Sequence, residues 1–436
     1  MLVIISDIHL TDGTSGQTVK AGAFRVFRDN LLRVVHNASE NNGEINPPKS
    51  VEILLLGDIF DIIRSDTWEQ SSVKPWSDNS SPQFLKCVDK IVSTIISHNS
   101  RSLKYLSDLS KEGIKVKVDD AQSIIIPVNI HYMAGNHDWF FHLPSGTLAN
   151  EIRRKTVEAA GLSNDPGLPF AHKQHEGDET LKKVLKEHRV YAQHGDIYDS
   201  FNYDKNSGRN SSSLGDAIVV ELLNGFPAKV RQTLNLKTDD LLAEALKELD
   251  NVRPLTDIPN WLSSSLKLYA SEEQEKEVLK IWDEQVDLFL KTDFVRSFDI
   301  PWHIDDEDIL ELVLKASKWL NPATLGKLTN FFKNYDKSYS SYALNESSLL
   351  MDDCDYIVYG HTHTPEMTPL LTVVEDSIKK DKIYFNTGTF RVIHKKTIKK
   401  ESIPTYVSYK AMHFVVIYKP HERKGRPFET WTGYLG

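Results

Sequence analysis

Five short apolar runs in this chain each end in a polar cluster of Asp, Asn and His, residue types that bind divalent cations. Asp7 and His9 follow residues 3–5, and Gly57-Asp58 follows residues 53–56. Gly135-Asn136-His137-Asp138 follows 130–134, His194-Gly195-Asp196 follows 190–193, and Gly360-His361-Thr362-His363 follows 356–359. Residues two apart in an extended chain point to one side, so Asp7 with His9, and His361 with His363, can each face a single ion. Asp58 is the natural bridge, because an anion between two cations offsets their repulsion. Asn136 adds a neutral oxygen and His194 a neutral imidazole. Such a donor set suits Mn, Fe or Zn, and the lack of thiolates argues against a structural zinc or an iron–sulfur site. Singly, Gly-Asp and Gly-Asn pairs are ordinary turn signals. Five in succession, each closing an apolar run, point to a metal centre.

The elements that must carry these residues are legible in outline. Residues 3–5 form a short, fully apolar strand, and Phe24, Phe27, Leu31, Leu32 and Val35 repeat at helical spacing before the strand at 53–56. Residues 40–49, rich in Asn, Gly and Pro, read as a loop. A helical insertion is expected at about 64–120, its main helix running from 83 to about 109, with strands resuming at 123–126 and 129–134. Strands alternating with helices favour an α/β arrangement of mixed sheets.

Residues 206–349 have a different texture, with apolar stripes on a charged background. The stripes are Leu241, Leu242, Ala245, Leu246 and Leu249; Val278, Ile281, Trp282, Val286, Phe289 and Leu290; and Ile309, Leu312, Val313, Ala316 and Leu320, with acids at 305–308 suited to a helix N-terminus. They predict a mostly helical cap inserted between the fourth and fifth clusters. The division is then 1–205 as the first part of the core, 206–349 as the cap and 350–436 as the rest of the core. Trp261, Trp282, Trp302 and Trp319 are read as packing groups of the cap.

Composition limits the partners. The 436 residues carry a net charge of −9, and the cap holds 16 Lys and Arg against 24 Asp and Glu, a poor clamp for a nucleic-acid backbone. Lys379, Lys380, Lys382, Lys395, Lys396, Lys399 and Lys400 read as a solvated hairpin edge. Cys87 and Cys354 are too few for a disulfide framework and read as small buried residues. The lack of a long apolar stretch and the early Asp7 predict a cytoplasmic protein with no transmembrane segment, although a peripheral membrane contact remains compatible. Nothing in the sequence fixes an oligomeric state.

The order and spacing of the clusters resemble the calcineurin-like metallophosphoesterase superfamily over residues 1–204 and 354–391. In detail, Gly57-Asp58-Ile59-Phe60-Asp61, His194-Gly195-Asp196 and Gly360-His361-Thr362-His363 are most similar to its UDP-diacylglucosamine pyrophosphohydrolase branch. Two departures are His137, where that branch usually has Arg, and a larger cap. The resemblance implies a four-layer sandwich of two mixed sheets flanked by helices. It implies that Asp7, His9, Asp58 and His363 hold one divalent ion, and Asp58, Asn136, His194 and His361 a second. Manganese is the expected metal, with iron or zinc as alternatives. His137, beside Asn136, would assist the leaving oxygen. Asn386-Thr387-Gly388-Thr389 resembles the strand and turn that the family places after its last histidine pair.

The implied chemistry is hydrolysis of a phosphodiester or pyrophosphate by a metal-bridging hydroxide, on a small or amphipathic nucleotide-like substrate. Asp138 and Asp196 are expected to orient histidines around the metals. Arg64, Arg209 and Arg391 are candidate phosphate clamps, because planar guanidinium donors match phosphate oxygens. Three alternatives stand beside this reading. A repair-type nuclease shares the early motifs, but the acidic cap does not favour duplex binding. A phosphoprotein or phosphomonoester phosphatase is disfavoured by Ile62, Ile63 and Asp138. A non-catalytic scaffold would have lost ligands that are all present here.

Overall fold

The computed structural model describes residues 1–41, 44–118, 122–237, 239–253, 257–297, 338–375, 378–398 and 403–435. The third cap stripe, the acids at 305–308, Trp302, Trp319, Lys399 and Lys400 lie outside the described residues.

In chain order the strands are β1 (Leu2–Ile5), β2 (Glu40–Asn41), β3 (Glu44–Ile45), β4 (Val51–Leu56), β5 (Ile114–Lys117), β6 (Ser123–Ile126), β7 (Val128–Met133) and β8 (Val190–Ala192). They continue with β9 (Val252–Arg253), β10 (Tyr356–Tyr359), β11 (Pro365–Glu375), β12 (Ile378–Thr387), β13 (Val392–Lys396), β14 (Tyr406–Ile417) and β15 (Phe428–Leu435). Two mixed sheets dominate. The larger runs β7-β4-β1-β14-β13-β9, with β15 also on β14, and the smaller runs β11-β12-β10-β8. In the larger sheet β1, β4 and β7 are parallel while β14 runs antiparallel beside β1.

β1 and β4 read as unbroken apolar runs because both their faces are buried. Val3, Ile5, Ile53 and Leu55 face one core, shared with helices α1 (Ala21–Ser39), α2 (Thr67–Gln70), α3 (Pro82–His98), α4 (Ser100–Glu112) and α5 (Thr147–Ala160). Leu2, Ile4, Leu54 and Leu56 meet Val358, Ile383 and Phe385 of the smaller sheet in a second core. The far face of the smaller sheet, with Ile357, Tyr359 and Tyr384, is covered by Tyr339, Ala343 and Leu349. The α/β class with mixed sheets is therefore observed.

Several local expectations change. In α1, Leu32 is exposed and Val34 takes the inward position. Within the expected loop, β2 and β3 pair antiparallel, Glu40 with Ile45 and Asn41 with Glu44. The expected single helix at 83–109 is two helices, because the Asn99 side chain bonds back to Ile95 O and across to Thr11 O, both at 2.8 Å. Ser81 accepts from Phe84 N and Pro82 opens α3, a favourable start. The cap has its own core, including Leu242, Leu246, Leu262, Val278, Ile281, Trp282 and Phe289, and Trp261 stacks on His394 at 4.2 Å. Leu241 turns out to solvent. The cap also lends β9 to the larger sheet, parallel to β13. Lys382 is no edge guard: it is buried, paired with Asp352 and with Asp355 at 2.8 Å, and bonded to Cys354 O at 2.7 Å.

β4 buries one charge, Glu52, which accepts from Ser50 Oγ at 2.6 Å and from Asn129 Nδ2 and His131 Nε2, each at 3.1 Å. Burial alone would raise its pKa, but these bonds overcome that and bring it down to about 2. A carboxylate lowered by folding contributes stability above its unfolded value near 4.5, and loses it as the pH falls towards 2. Urea titrations at pH 7 and pH 3 should show wild type losing on the order of 2 kcal/mol more than Glu52→Gln between the two.

Candidate metal centre

The five clusters converge where the strands of both sheets end. Asp7, His9, Asp58, His361 and His363 all have left-handed backbones, with φ between 51° and 69°. Such conformations cost on the order of 1–3 kcal/mol for a non-glycine residue. Asp7 and His9, and likewise His361 and His363, therefore meet through tight turns, and the extended geometry expected from their spacing does not apply. The turn at Asp7 is held by Thr389 Oγ1 and Phe390 N, which both donate to Asp7 O, and by His361 N, which donates to Asp7 Oδ2 at 3.0 Å. Ser6 Oγ also bonds Asp7 Oδ2.

Ligand-type atoms gather in three groups, Asp7–His9–His363, His9–Asp58–His137 and Asp58–His194–His361, with all atoms of a group within 4.8 Å of one another. His9 Nε2 lies 3.0 Å from His363 Nε2, and His363 Nε2 lies 3.3 Å from Asp7 Oδ1. His194 Nε2 is 3.2 Å from Asp58 Oδ2, and His361 Nδ1 is 3.0 Å from Asn136 Oδ1. Donors about 2.1 Å from one cation and about 90–109° apart stand roughly 3.0–3.4 Å from each other. These four spacings fit that range. Asp7 Oδ1 and His194 Nε2 are buried and make no hydrogen bond. Buried polar atoms rarely lack partners, and a cation would satisfy both. The buried His and Asp groups could thus hold a metal ion.

The imidazoles of His9, His194 and His361 are held from behind by acceptors. His194 Nδ1 donates to Leu56 O at 2.9 Å, directing Nε2 at Asp58. Asp61 receives His9 Nδ1 at 3.0 Å on one oxygen and His137 Nδ1 at 2.6 Å on the other. Asp199 receives His361 Nε2 at 3.0 Å, and Asn202 accepts from Asn136 Nδ2 at 3.3 Å. Arg253, from β9, reaches His363 Nδ1 at 2.7 Å. The reading from sequence overlooked Asp61, Asp199, Asn202 and Arg253. Asp61 had a signal, a second acid three residues after Asp58 in an apolar context, whereas nothing near Arg253 marks it.

The predicted orienting acids have other direct partners. Asp138 accepts from Gly135 N, Ile59 N and Tyr132 Oη, so it ties two site loops together. Asp196 pairs with Arg209 at 2.5 Å. Arg209 also donates to Gly135 O and lies over the Tyr203 ring, next to Asn136. Arg391 is buried against Asp250 at 2.9 Å. Arg64 is buried and donates to the carbonyls of Ser15, Leu223 and Lys247. Arg64 and Arg391 therefore join the cap to the core, because their donors are engaged within the protein.

The charges are strongly coupled. Burial would raise the pKa of Asp7, but His194 and His363 bring it down to about 2. Asp58 is likewise held well below the carboxylate range against burial, chiefly by His194 and His137. Burial disfavours the His137 cation, yet Asp61 and Asp58 raise its pKa to about 9. A dication nearby would move it back down. Asp61→Asn leaves one oxygen to serve two imidazoles, and is expected to weaken Mn binding about 10- to 100-fold in a calorimetric titration.

No family model matches this chain, and no curated protein matches it. Among the described residues no helix is long and apolar enough to cross a membrane.

Proposed function

We propose that this protein is a metal-dependent phosphoesterase of the calcineurin-like kind, hydrolysing a phosphodiester or pyrophosphate bond in a small, nucleotide-like substrate. The observation that carries the reading is the meeting of the groups Asp7–His9–His363 and Asp58–His194–His361, with Asp58 Oδ2 also 3.8 Å from His9 Nε2, on turns that end strands of two mixed sheets. Asp7, His9, Asp58 and His363 would hold one divalent ion, and Asp58, Asn136, His194 and His361 the other. When bound, such a pair of cations, manganese by preference, supplies Lewis acidity that lowers the pKa of water and offsets phosphoryl charge. His137 is half-buried, its Nδ1 bonds Asp61 Oδ1 at 2.6 Å, and Asp61 and Asp58 favour its cation. It is placed to donate a hydrogen bond to a phosphoryl or leaving oxygen, help of a kind typically worth about 100- to 10,000-fold. Asp61 fixes the ring orientation of both His137 and His9, so the two act as a unit. Arg209, locked on Asp196, keeps the Asn136 turn in shape.

The test is elemental analysis of protein purified without chelator, followed by assays with Mn, Fe and Zn on bis(p-nitrophenyl) phosphate, p-nitrophenyl phosphate, nucleotides, nucleotide sugars, phosphopeptides and DNA. Diester or pyrophosphate turnover that needs the metal is expected. Turnover confined to monoesters would redirect the reading to a phosphatase, and no turnover with any metal would end it.

A further inference from the structure

Beside the His361 end of the cluster lies a group of tyrosines that the proposed chemistry does not use. Tyr359 ends β10 two residues before His361, and Tyr198 lies on the turn that follows His194, four residues on. Tyr339 and Tyr342 come from the segment returning from the cap. Tyr198 and Tyr342 stack face to face, with centroids 4.3 Å apart and an interplanar angle of 8°. Tyr339 meets Tyr342 edge-on at 5.6 Å and tilts over His361 at 6.2 Å.

The group is rigid and open on one side. Glu346 Oε1 accepts from Tyr198 Oη at 2.5 Å, Tyr359 Oη at 2.6 Å and Gln193 Nε2 at 2.9 Å. Tyr339, Tyr359 and Tyr384 are buried, whereas Tyr342 is 43% exposed. One face of Tyr342 rests on Tyr198 and Tyr339 meets the ring edge-on, so the opposite face is the one these two rings leave for a ligand. A cluster that served packing alone would have no need of the exposed Tyr342 ring. A fixed aromatic plane next to a phosphate-type site is what stacking of a base requires.

We propose that Tyr342, backed by Tyr198 and Tyr339, forms a shelf on which the nucleobase of a nucleotide substrate stacks while its phosphate sits at the His361 end of the cluster. The inference rests on the phosphoesterase reading and deepens it by naming the part of the substrate recognised. Tyr339 touches both Tyr342 and His361, so one ring links the shelf to the His361 end of the cluster.

The test compares thymidine 5′-(p-nitrophenyl) phosphate with methyl p-nitrophenyl phosphate on the Mn-loaded full chain. The first carries a base and the second does not. In wild type kcat/KM should favour the thymidine ester. That preference should fall about tenfold in Tyr342→Ala through KM, and be retained in Tyr342→Trp. Calorimetric binding of adenosine 5′-monophosphate should weaken by a similar factor in Tyr342→Ala and recover in Tyr342→Trp. A preference that is the same in all three proteins, together with unaltered binding of the monophosphate, would overturn the shelf. If wild type cleaves neither ester, the phosphodiester part of the reading fails by itself, and the binding titration alone decides whether a base stacks here.

Discussion

Asp58→Ala should abolish metal-dependent hydrolysis of bis(p-nitrophenyl) phosphate, lowering kcat/KM by more than about 1,000-fold, and should reduce the Mn content of the purified protein. Asp58 belongs to two of the three ligand groups, and its Oδ2 lies 3.2 Å from His194 Nε2 and 3.8 Å from His9 Nε2. Its other oxygen accepts the backbone N–H of His137 at 2.8 Å. Removing this carboxylate leaves His9, His194 and His137 facing one another with less negative charge between them. The substitution therefore separates the candidate cations, exposes them to mutual repulsion and loosens the turn carrying His137. Asp58→Asn keeps the shape and one acceptor, and should show a similar loss of activity with a smaller loss of stability. Full activity in both variants, measured with metal in excess, would remove Asp58 from the centre.

Gly57→Ala should destabilise the fold by about 3 kcal/mol or more, in urea denaturation followed by circular dichroism. Gly57 has φ +82°, where a side chain is strained, and a Cβ there would stand 2.5 Å from His194 Nδ1 and 2.9 Å from Gly135 Cα. It would press on the imidazole nitrogen that donates to Leu56 O, and on a backbone that cannot retreat without moving Asn136. Gly208 is the control, with φ +70° and nothing within 4 Å of the added atom. Gly208→Ala bears only the backbone cost, about 1 kcal/mol. The difference between the two measures the close approach of the loops, and equal losses would mean that the loops do not meet as described.

What could be read in advance follows from where the information sits. β1, β4 and β10 declare themselves because burial on both faces makes each an unbroken apolar run, and the ligands stand at their ends. The sheet order could not be read, because β14 pairs with β1 across some 400 residues and local sequence does not encode a partner that distant. The left-handed turns were also hidden, since Asp and His rather than Gly occupy them and the surrounding hydrogen bonds enforce them. Spacing alone suggested that Asp7 and His9 shared one side of a strand, so the convergence was expected by a wrong route. Lys382 looked like surface because charge normally is, and its burial depends on Asp352 and Asp355, which the fold brings to it. Asp196 and Asp138 looked like histidine partners by adjacency, but Asp61 and Asp199 do that work across turns.

The stitching of the cap also bears on how this protein could be cut or recombined. Arg64 hands its protons to Leu223 and Lys247, Arg391 leans on Asp250, and His394 meets Glu248 at 3.1 Å. Excising 206–349 would strip the buried Arg64 of two of its three carbonyl acceptors and the buried Arg391 of Asp250, a cost of several kcal/mol. The insertion is thus no detachable accessory. Any graft of this site onto a shorter chain must bring replacements for those anchors.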